Sequence, residues 1–456
     1  MSSAPNANAD AMLLAVALRV AALSAVEGPC DIYAKGGTPC VAAHSMTRAL
    51  YGAYDGPLYS LVHKEGPFST PAGNWTYGAV GAHPQIQYEI TALPSPPRTF
   101  AVVAQGQAHG WQNATMTYKP NAGCAPGLNC PNIFVKYWSG VMDNGTATGF
   151  ASVKWADHSY WRRKPAAVAH VGVKSAGGVA DSAAHDAFCS GKQCVVERIW
   201  DQSEVQNHLG IEAGAWWLGP PRDAQDLGVN FTDPASKTTL GGSPVYSALF
   251  VGEKGGNGKP FVGQGYSNRT ARQTATGDEP QSMYAIFGGK HFNDGCCFDY
   301  GNAEKTKSMF DGSMEAIYFG NGYAPGDPTG KSGHGPWLMV DLENGIYARG
   351  PAHHVVPSIT TGEFIVGFVK GDSGNHYAVK HGDAQKAGSL TTVWDGPRPK
   401  GYEVMKKQGA IILGSGGDNS PWGAGTWYEG CMTKGYASNV TEAAVMANIV
   451  AAGYGK

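Results

Sequence analysis

SMYAIFGG (Ser282–Gly289), SMEAIYFG (Ser313–Gly320), PWLMVDLEN (Pro336–Asn344), GEFIVGFVKG (Gly362–Gly371), LTTVWDG (Leu390–Gly396), AIILGSGG (Ala410–Gly417) and GTWYEGCM (Gly425–Met432) follow one another in the C-terminal part of the chain. Each run has strand length, is rich in β-branched and aromatic residues, and is bounded by Gly, Pro or Asn. Such punctuation marks an all-β sandwich. Helix signals are few. One helix is predicted near Ser45–Tyr51, and another from Asn439 to about Ala452. In the second, Asn439 and Glu442 have N-cap and N3 spacing, while Val445, Ile449 and Ala452 share a face. The expected fold is therefore an all-β, jelly-roll-like β-sandwich with few short helices.

Composition agrees with this. The 64 glycines and the charged fraction of only 15 % in 456 residues argue against a helix bundle or coiled coil. With 34 Lys and Arg against 36 Asp and Glu, the net charge of −2 gives no footprint for nucleic acid or an anionic membrane, and neither is expected as a partner. The 12 Trp, 21 Tyr and 15 Phe exclude disorder and suit aromatic strands or a sugar-binding surface. No G-x-S-x-G elbow, Walker A loop, H-E-x-x-H or strand-following G-x-G-x-x-G occurs, so serine-esterase, nucleotide and zinc-protease chemistries lose support.

Ala11–Ala25 reads AMLLAVALRVAALSA, an apolar run ending in small residues. It predicts a secretory signal over residues 1–25 and a secreted protein; a buried amphipathic helix is the alternative, since Arg19 interrupts the run. No other apolar stretch reaches the ~18 residues of a membrane-crossing helix. Sequons at Asn74, Asn113, Asn144, Asn230, Asn268 and Asn439 are candidate glycosylation sites. Eight cysteines fall into the short-range couples Cys30/Cys40, Cys124/Cys130, Cys189/Cys194 and Cys296/Cys297, leaving Cys431 as a buried free thiol. Short couples suit local disulfides. A zinc site is the disfavoured alternative, because no C-x₂-C pair is present, and no metal or cofactor is expected. Residues 64–165 differ in texture, with Cys124/Cys130 and Trp75, Trp111, Trp138, Trp155 and Trp161. They read as an insertion into a sandwich spanning 26–456, either a small β-module or an extra loop wrapping it.

Three segments carry candidate chemistry. If Trp337–Glu343 is one strand, alternation puts Trp337, Met339, Asp341 and Glu343 on one face and Leu338, Val340 and Leu342 on the other. Two carboxyls then share a face about 7 Å apart. Burying them beside Trp and Met is costly unless they are paired or hydrogen-bonded. A solvated sheet edge with an Asn344-Gly345 turn fits the spacing equally. In GAIILGSGGDNS a strand runs out through Gly414, Gly416 and Gly417 into Asp418 and Asn419, which delivers a carboxylate at a strand end or makes an Asp-Asn turn. Glu343 and Asp418 together supply the two carboxyls that glycosidic cleavage uses. Adjacent Cys296 and Cys297 either pair with each other, giving a rigid apolar surface, or pair elsewhere.

GPCDIYAKGGTPCVAAHSMTRALY (Gly28–Tyr51), AGGVADSAAHDAFCSGKQC (Ala176–Cys194), IWDQSEVQNHL (Ile199–Leu209), NDGCCFDYGNAE (Asn293–Glu304), PWLMVDLENG and GAIILGSGGDNS together resemble the α-L-arabinofuranosidase B catalytic domains of glycoside hydrolase family 54. The resemblance covers most of Gly28–Lys456 outside the insertion. It implies a β-sandwich retaining exo-hydrolase that removes terminal arabinofuranosyl groups from arabinan, arabinoxylan and related plant cell-wall polysaccharides; separately, a monomer is expected. By motif position Glu343 matches the nucleophile and Asp418 the general acid/base. Asp341, Asn344 and Gly417 match sugar-contacting positions. Cys296–Cys297 matches a vicinal disulfide lying against the arabinose, and Cys30–Cys40 and Cys189–Cys194 match structural bridges; Cys124–Cys130 lies outside the resemblance. A retaining mechanism then asks for Glu343 ionised and Asp418 with the higher pKa in the free enzyme.

The chain also departs from the family pattern. The loop Gly320–Gly335 is longer than the family's and lacks the tryptophan that lines the sugar site there, with Tyr323 as its candidate substitute. The arabinose-binding β-trefoil that follows the terminal helix in typical members is expected to be absent. Two alternatives follow: a catalytically inactive carbohydrate-binding sandwich, or a hydrolase of another furanoside such as galactofuranose.

Overall fold

The computed structural model describes residues 27–63, 168–211, 234–252, 264–305, 310–322, 336–348, 362–418, 420 and 422–456, and the backbone of eight strands between 75 and 163. Two antiparallel sheets share one apolar core. The seven-stranded sheet runs Cys40–Ser45, Ala424–Lys434, Gln281–Phe292, Phe364–Asp372, His376–Asp383 and Thr391–Gly396, with Ala248–Val251 also paired to Ala424–Lys434. The ten-stranded sheet runs Val168–Gly172, Pro57–His63, Cys194–Ile199, Leu209–Ile211, Tyr266–Asn268, Ala410–Leu413, Asp299–Ala303, Glu315–Gly320, Trp337–Asp341 and Ile346–Tyr347. The protein is an all-β sandwich, and each run quoted at the outset contributes a strand.

Period-two alternation explains how the sheets meet. Leu338, Val340 and Leu342 enter the core with Ile286, Phe287, Val366 and Phe368 of the opposite sheet, while Trp337 and Met339 join a separate apolar cluster with Cys297 and Tyr318. Across the interface Phe287 stacks on Phe319 at 5.1 Å between centroids and 5° between planes. Each such fully buried side chain contributes roughly 1.5–3 kcal/mol by leaving water. Charges that enter the interior are paired: the wholly buried Glu315 meets Arg398 at 3.0 Å and Lys407 at 3.3 Å.

The predicted helix at Ser45–Tyr51 is absent. Ser45 Oγ accepts from the Thr47 and Arg48 N–H groups, a helix-like start, but the backbone donors beyond find distant partners: Met46 N–H bonds Tyr428 O and Ala49 N–H bonds Gly178 O. Arg48 is drawn into the interior by Glu429 at 2.8 Å. Long-range partners thus outcompete the local ones. The described helices are Pro29–Lys35, Ser182–Cys189 and Asn439–Ala452. The first two carried signals in sequence, Pro29 at N1 with Asp31 Oδ2 accepting from Gly28 N–H, and Asp181 as N-cap accepting from Ala184 N–H. In the third the N-cap is Ser438 rather than Asn439; Asn439 Oδ1 instead accepts from Lys370 and Lys380.

Cys30–Cys40, Cys189–Cys194 and Cys296–Cys297 are disulfide-bonded, and Cys431 is buried and unbonded. The long segment between the strands Pro57–His63 and Val168–Gly172 starts and ends at one place, for Val62 and Val168 are register partners. A segment with adjacent ends can be accommodated without opening the sheet. Within it, eight antiparallel strands close a barrel in the order Tyr160–Arg163, Trp75–Gly78, Ile86–Ile90, Thr99–Gly106, Gly110–Lys119, Asn132–Val135, Trp138–Met142 and Ser152–Trp155. Of the sequons, Asn439 is exposed. Asn268 is not presented as an acceptor: it is buried on a central strand with Oδ1 accepting from Thr270. The predicted signal segment, Asn74, Asn144, Asn230, Cys124, Cys130 and Tyr323 lie outside the described residues, and Asn113 is described only as strand backbone.

Candidate active site

The strand Trp337–Asp341 ends before Glu343. Leu342 N–H bonds Gly345 O at 3.0 Å, closing a tight turn in which Glu343 and Asn344 take left-handed backbone with φ of 60° and 53°. Glu343 therefore reaches the site from a turn, not by the strand alternation expected from sequence. A non-glycine residue in that region costs of order 1 kcal/mol and persists where its surroundings hold it. Here Glu343 N–H donates to Asp341 Oδ1 at 2.9 Å, and the Tyr402 hydroxyl donates to Glu343 O at 2.8 Å.

A glycine loop completes the site. Gly414, with φ of 76° against the Phe250 ring, turns the chain out of the strand Ala410–Leu413. Gly417 is then laid on the acidic side chains so closely that a methyl group there would stand 1.9 Å from Glu304 Oε2 and 2.9 Å from Glu343 Oε2. The buried Arg269 fixes this contact by donating to Gly417 O at 2.9 Å and Glu304 O at 2.7 Å. Asp418 is half-buried, with Oδ1 accepting from Ser420 N–H at 2.9 Å. The Cys297 N–H bonds Ser420 O at 2.9 Å, which ties the disulfide to the same loop. An Asp341 carboxylate oxygen and the Cys296 and Cys297 sulfurs lie within 4.8 Å of one another; Cys296 is exposed and Cys297 buried.

Cys296, Cys297, Asp341, Glu343, Gly417 and Asp418 thus converge. Asn344 sits exposed at the rim, with Nδ2 donating to Asp311 Oδ1 at 3.2 Å. Sequence reading missed Asp299, Glu304, Ser313 and Arg269. Asp299 and Glu304 stand within NDGCCFDYGNAE, at the two ends of a strand whose five residues are all buried, so carboxyls there must answer to other carboxyls or donors. Neither Asp299 oxygen meets a donor among the described residues, and the Asp341 carboxyl stands within hydrogen-bonding reach of it. Burial, then Asp341, pushes Asp299 well above the usual carboxylate range. Burial likewise raises Asp341. Glu343 is raised by burial, then by Glu304, Asp341 and Asp418. A retaining mechanism asks for Glu343 to be the ionised member; burial and the carboxyls around it push the other way.

Gly417→Ala tests the loop contact. Its methyl group has to displace Glu304 or Glu343, and displacements of about 1 Å near reacting groups cost ~100-fold in rate. The expected result is a loss of that order in kcat/KM with an unchanged circular dichroism spectrum; full activity would show that the loop can withdraw.

The sequence profile of a family described as "Alpha-L-arabinofuranosidase B, catalytic" matches residues 29–78 and 150–455. Alpha-L-arabinofuranosidase B of Emericella nidulans is 36 % identical over 449 residues, covering 97 % of this chain and 65 % of that protein. A solved glycoside hydrolase family 54 α-L-arabinofuranosidase soaked with a cyclic sulfate inhibitor superposes with a TM-score of 0.63 at 33 % identity, over 94 % of this chain and 66 % of that one. An arabinofuranosidase complexed with arabinofuranosyl-α-1,2-xylobiose gives 0.62 at 32 %, over 94 % and 65 %. The chain spans about two thirds of the length of the curated relatives it matches.

Proposed function

Because the chain belongs to the family of α-L-arabinofuranosidase B catalytic domains, we propose that it is a secreted, monomeric, exo-acting α-L-arabinofuranosidase working by double displacement with retention. The observation that carries this reading is the convergence of Glu343 and Asp418 with Asp341 and the Cys296–Cys297 pair about one glycine loop. In the first step Glu343 attacks the anomeric carbon while Asp418 gives its proton to the departing oxygen. In the second, Asp418 takes a proton from water, the water attacks the same carbon, and Glu343 leaves as a carboxylate. The disulfide offers an apolar face to the furanose ring, and Asp341, Asn344 and the Gly417 backbone offer polar groups to its hydroxyls. Arabinan and arabinoxylan side chains are the natural substrates in this reading. The relative complexed with arabinofuranosyl-α-1,2-xylobiose supports that class.

The test is hydrolysis of 4-nitrophenyl α-L-arabinofuranoside by the secreted full chain, with the galactofuranoside and xylopyranoside alongside. Release from the arabinofuranoside alone is the expected outcome. Release from the galactofuranoside would shift the specificity, and no release from a folded protein would favour a binding sandwich.

A further inference from the structure

Glu304 is a buried carboxyl that the double-displacement scheme leaves without a role. Its side chain is wholly buried, and Oε1 accepts from the Ser313 hydroxyl. Oε2 meets no donor among the described residues and converges with Glu343 Oε2 over Gly417. The two carboxyls lie within hydrogen-bonding reach of each other, side chain to side chain. Carboxylates cannot share a hydrogen bond unless one carries a proton, and two charges so close in a dry site cannot both persist.

We propose that Glu304 is a positioning residue for the nucleophile: it holds the pair's single proton while Glu343 attacks, and donates it as a hydrogen bond to Glu343 Oε2. This rests on the arabinofuranosidase reading and deepens it. In the free protein the proton is shared. As Glu343 forms its bond to the anomeric carbon, the proton resides on Glu304, Asp418 protonates the leaving oxygen, and no proton is gained or lost by the pair. When water releases the sugar, Glu343 departs as a carboxylate and shares the proton again. The raised proton affinity of Glu343 is then compatible with an ionised nucleophile, because Glu304 can take the proton as Glu343 attacks. The other groups facing the pair are the carboxyls of Asp299, Asp341 and Asp418, the Arg269 guanidinium on the Glu304 and Gly417 carbonyls, and the Tyr402 hydroxyl on the Glu343 carbonyl.

The experiment follows kcat/KM against pH for 4-nitrophenyl α-L-arabinofuranoside in wild type, Glu304→Gln and Glu304→Ala. A carboxylic acid donates more strongly than an amide, and a methyl group donates nothing. The acid limb should therefore move upward slightly in Glu304→Gln and by about one pH unit or more in Glu304→Ala. The optimal kcat should fall less than about tenfold for Gln and more than about a hundredfold for Ala, with KM little changed. A purely structural role leaves the acid limb in place. A Glu304→Gln protein that folds, with a kcat as low as that of the Ala variant or an unmoved limb in both variants, overturns the proposal. Should the Ala variant not fold, the limb of the Gln variant decides alone. A folded wild-type protein without activity overturns the arabinofuranosidase reading, and this proposal with it.

Discussion

Replacing Glu343 by Gln is expected to lower turnover by more than about a thousandfold on every arabinofuranoside, because a neutral amide cannot form the glycosyl ester. The change is nearly isosteric, so the turn that holds position 343 should survive it: its hydrogen bonds, to Asp341 Oδ1 and from Tyr402, involve only the backbone N–H and carbonyl. The amide can also donate to Glu304 Oε2, which has no other donor among the described residues. Stability supplies a second reading with a defined sign. Glu343 binds its proton more tightly folded than unfolded, so the wild type is relatively favoured at low pH. That advantage is lost as pH rises from the ordinary glutamate value of 4.5 through the raised folded value. Glu343→Gln has no such proton. Its melting temperature should match the wild type's in acid and exceed it increasingly towards neutral pH and above. A variant that keeps more than about a tenth of the wild-type rate would remove Glu343 from the nucleophile's role.

The sandwich was legible in sequence wherever apolar, β-branched and aromatic runs of strand length were bounded by turn residues, as in SMEAIYFG and PWLMVDLEN, whose strands are buried on both faces. The errors have a common physical cause. Ser45–Tyr51 has local hydrogen bonds that suggest a helix, yet Tyr428, Gly178 and Glu429, remote in the chain, capture its backbone and Arg48. Similarly, alternation along PWLMVDLEN placed the core-facing leucines correctly and reached the right side for Asp341, but it could not foresee that Glu343 sits in left-handed backbone. Glu304 was invisible for another reason. A lone Glu at the end of a strand is ordinarily solvated, and only the fold of the glycine loop brings Gly417, Ser313 and Glu343 against it.

Asp418→Asn should separate the two halves of the reaction, since its proton is needed only when the leaving group cannot depart unaided. On arabinan or arabinoxylan oligosaccharides kcat/KM is expected to fall by about a hundred- to ten-thousandfold. On 4-nitrophenyl α-L-arabinofuranoside, whose leaving group departs as a stable phenolate, the fall in kcat/KM should be far smaller. The second step then becomes limiting for that substrate, because no base takes the proton from water. The glycosyl-enzyme should accumulate, seen as a burst of 4-nitrophenol, a low kcat and a low KM. Azide, a nucleophile that needs no base, should restore turnover and give the arabinofuranosyl azide with retained configuration. Asp418 is suited to both halves by its place: half-buried, hydrogen-bonded through Oδ1 to the Ser420 N–H, and carried by the same loop that seats Gly417 on Glu343. Equal losses on both substrates, without a burst or azide rescue, would assign the proton transfer to another group, and the raised carboxyls Asp299 and Asp341 would be the next to test.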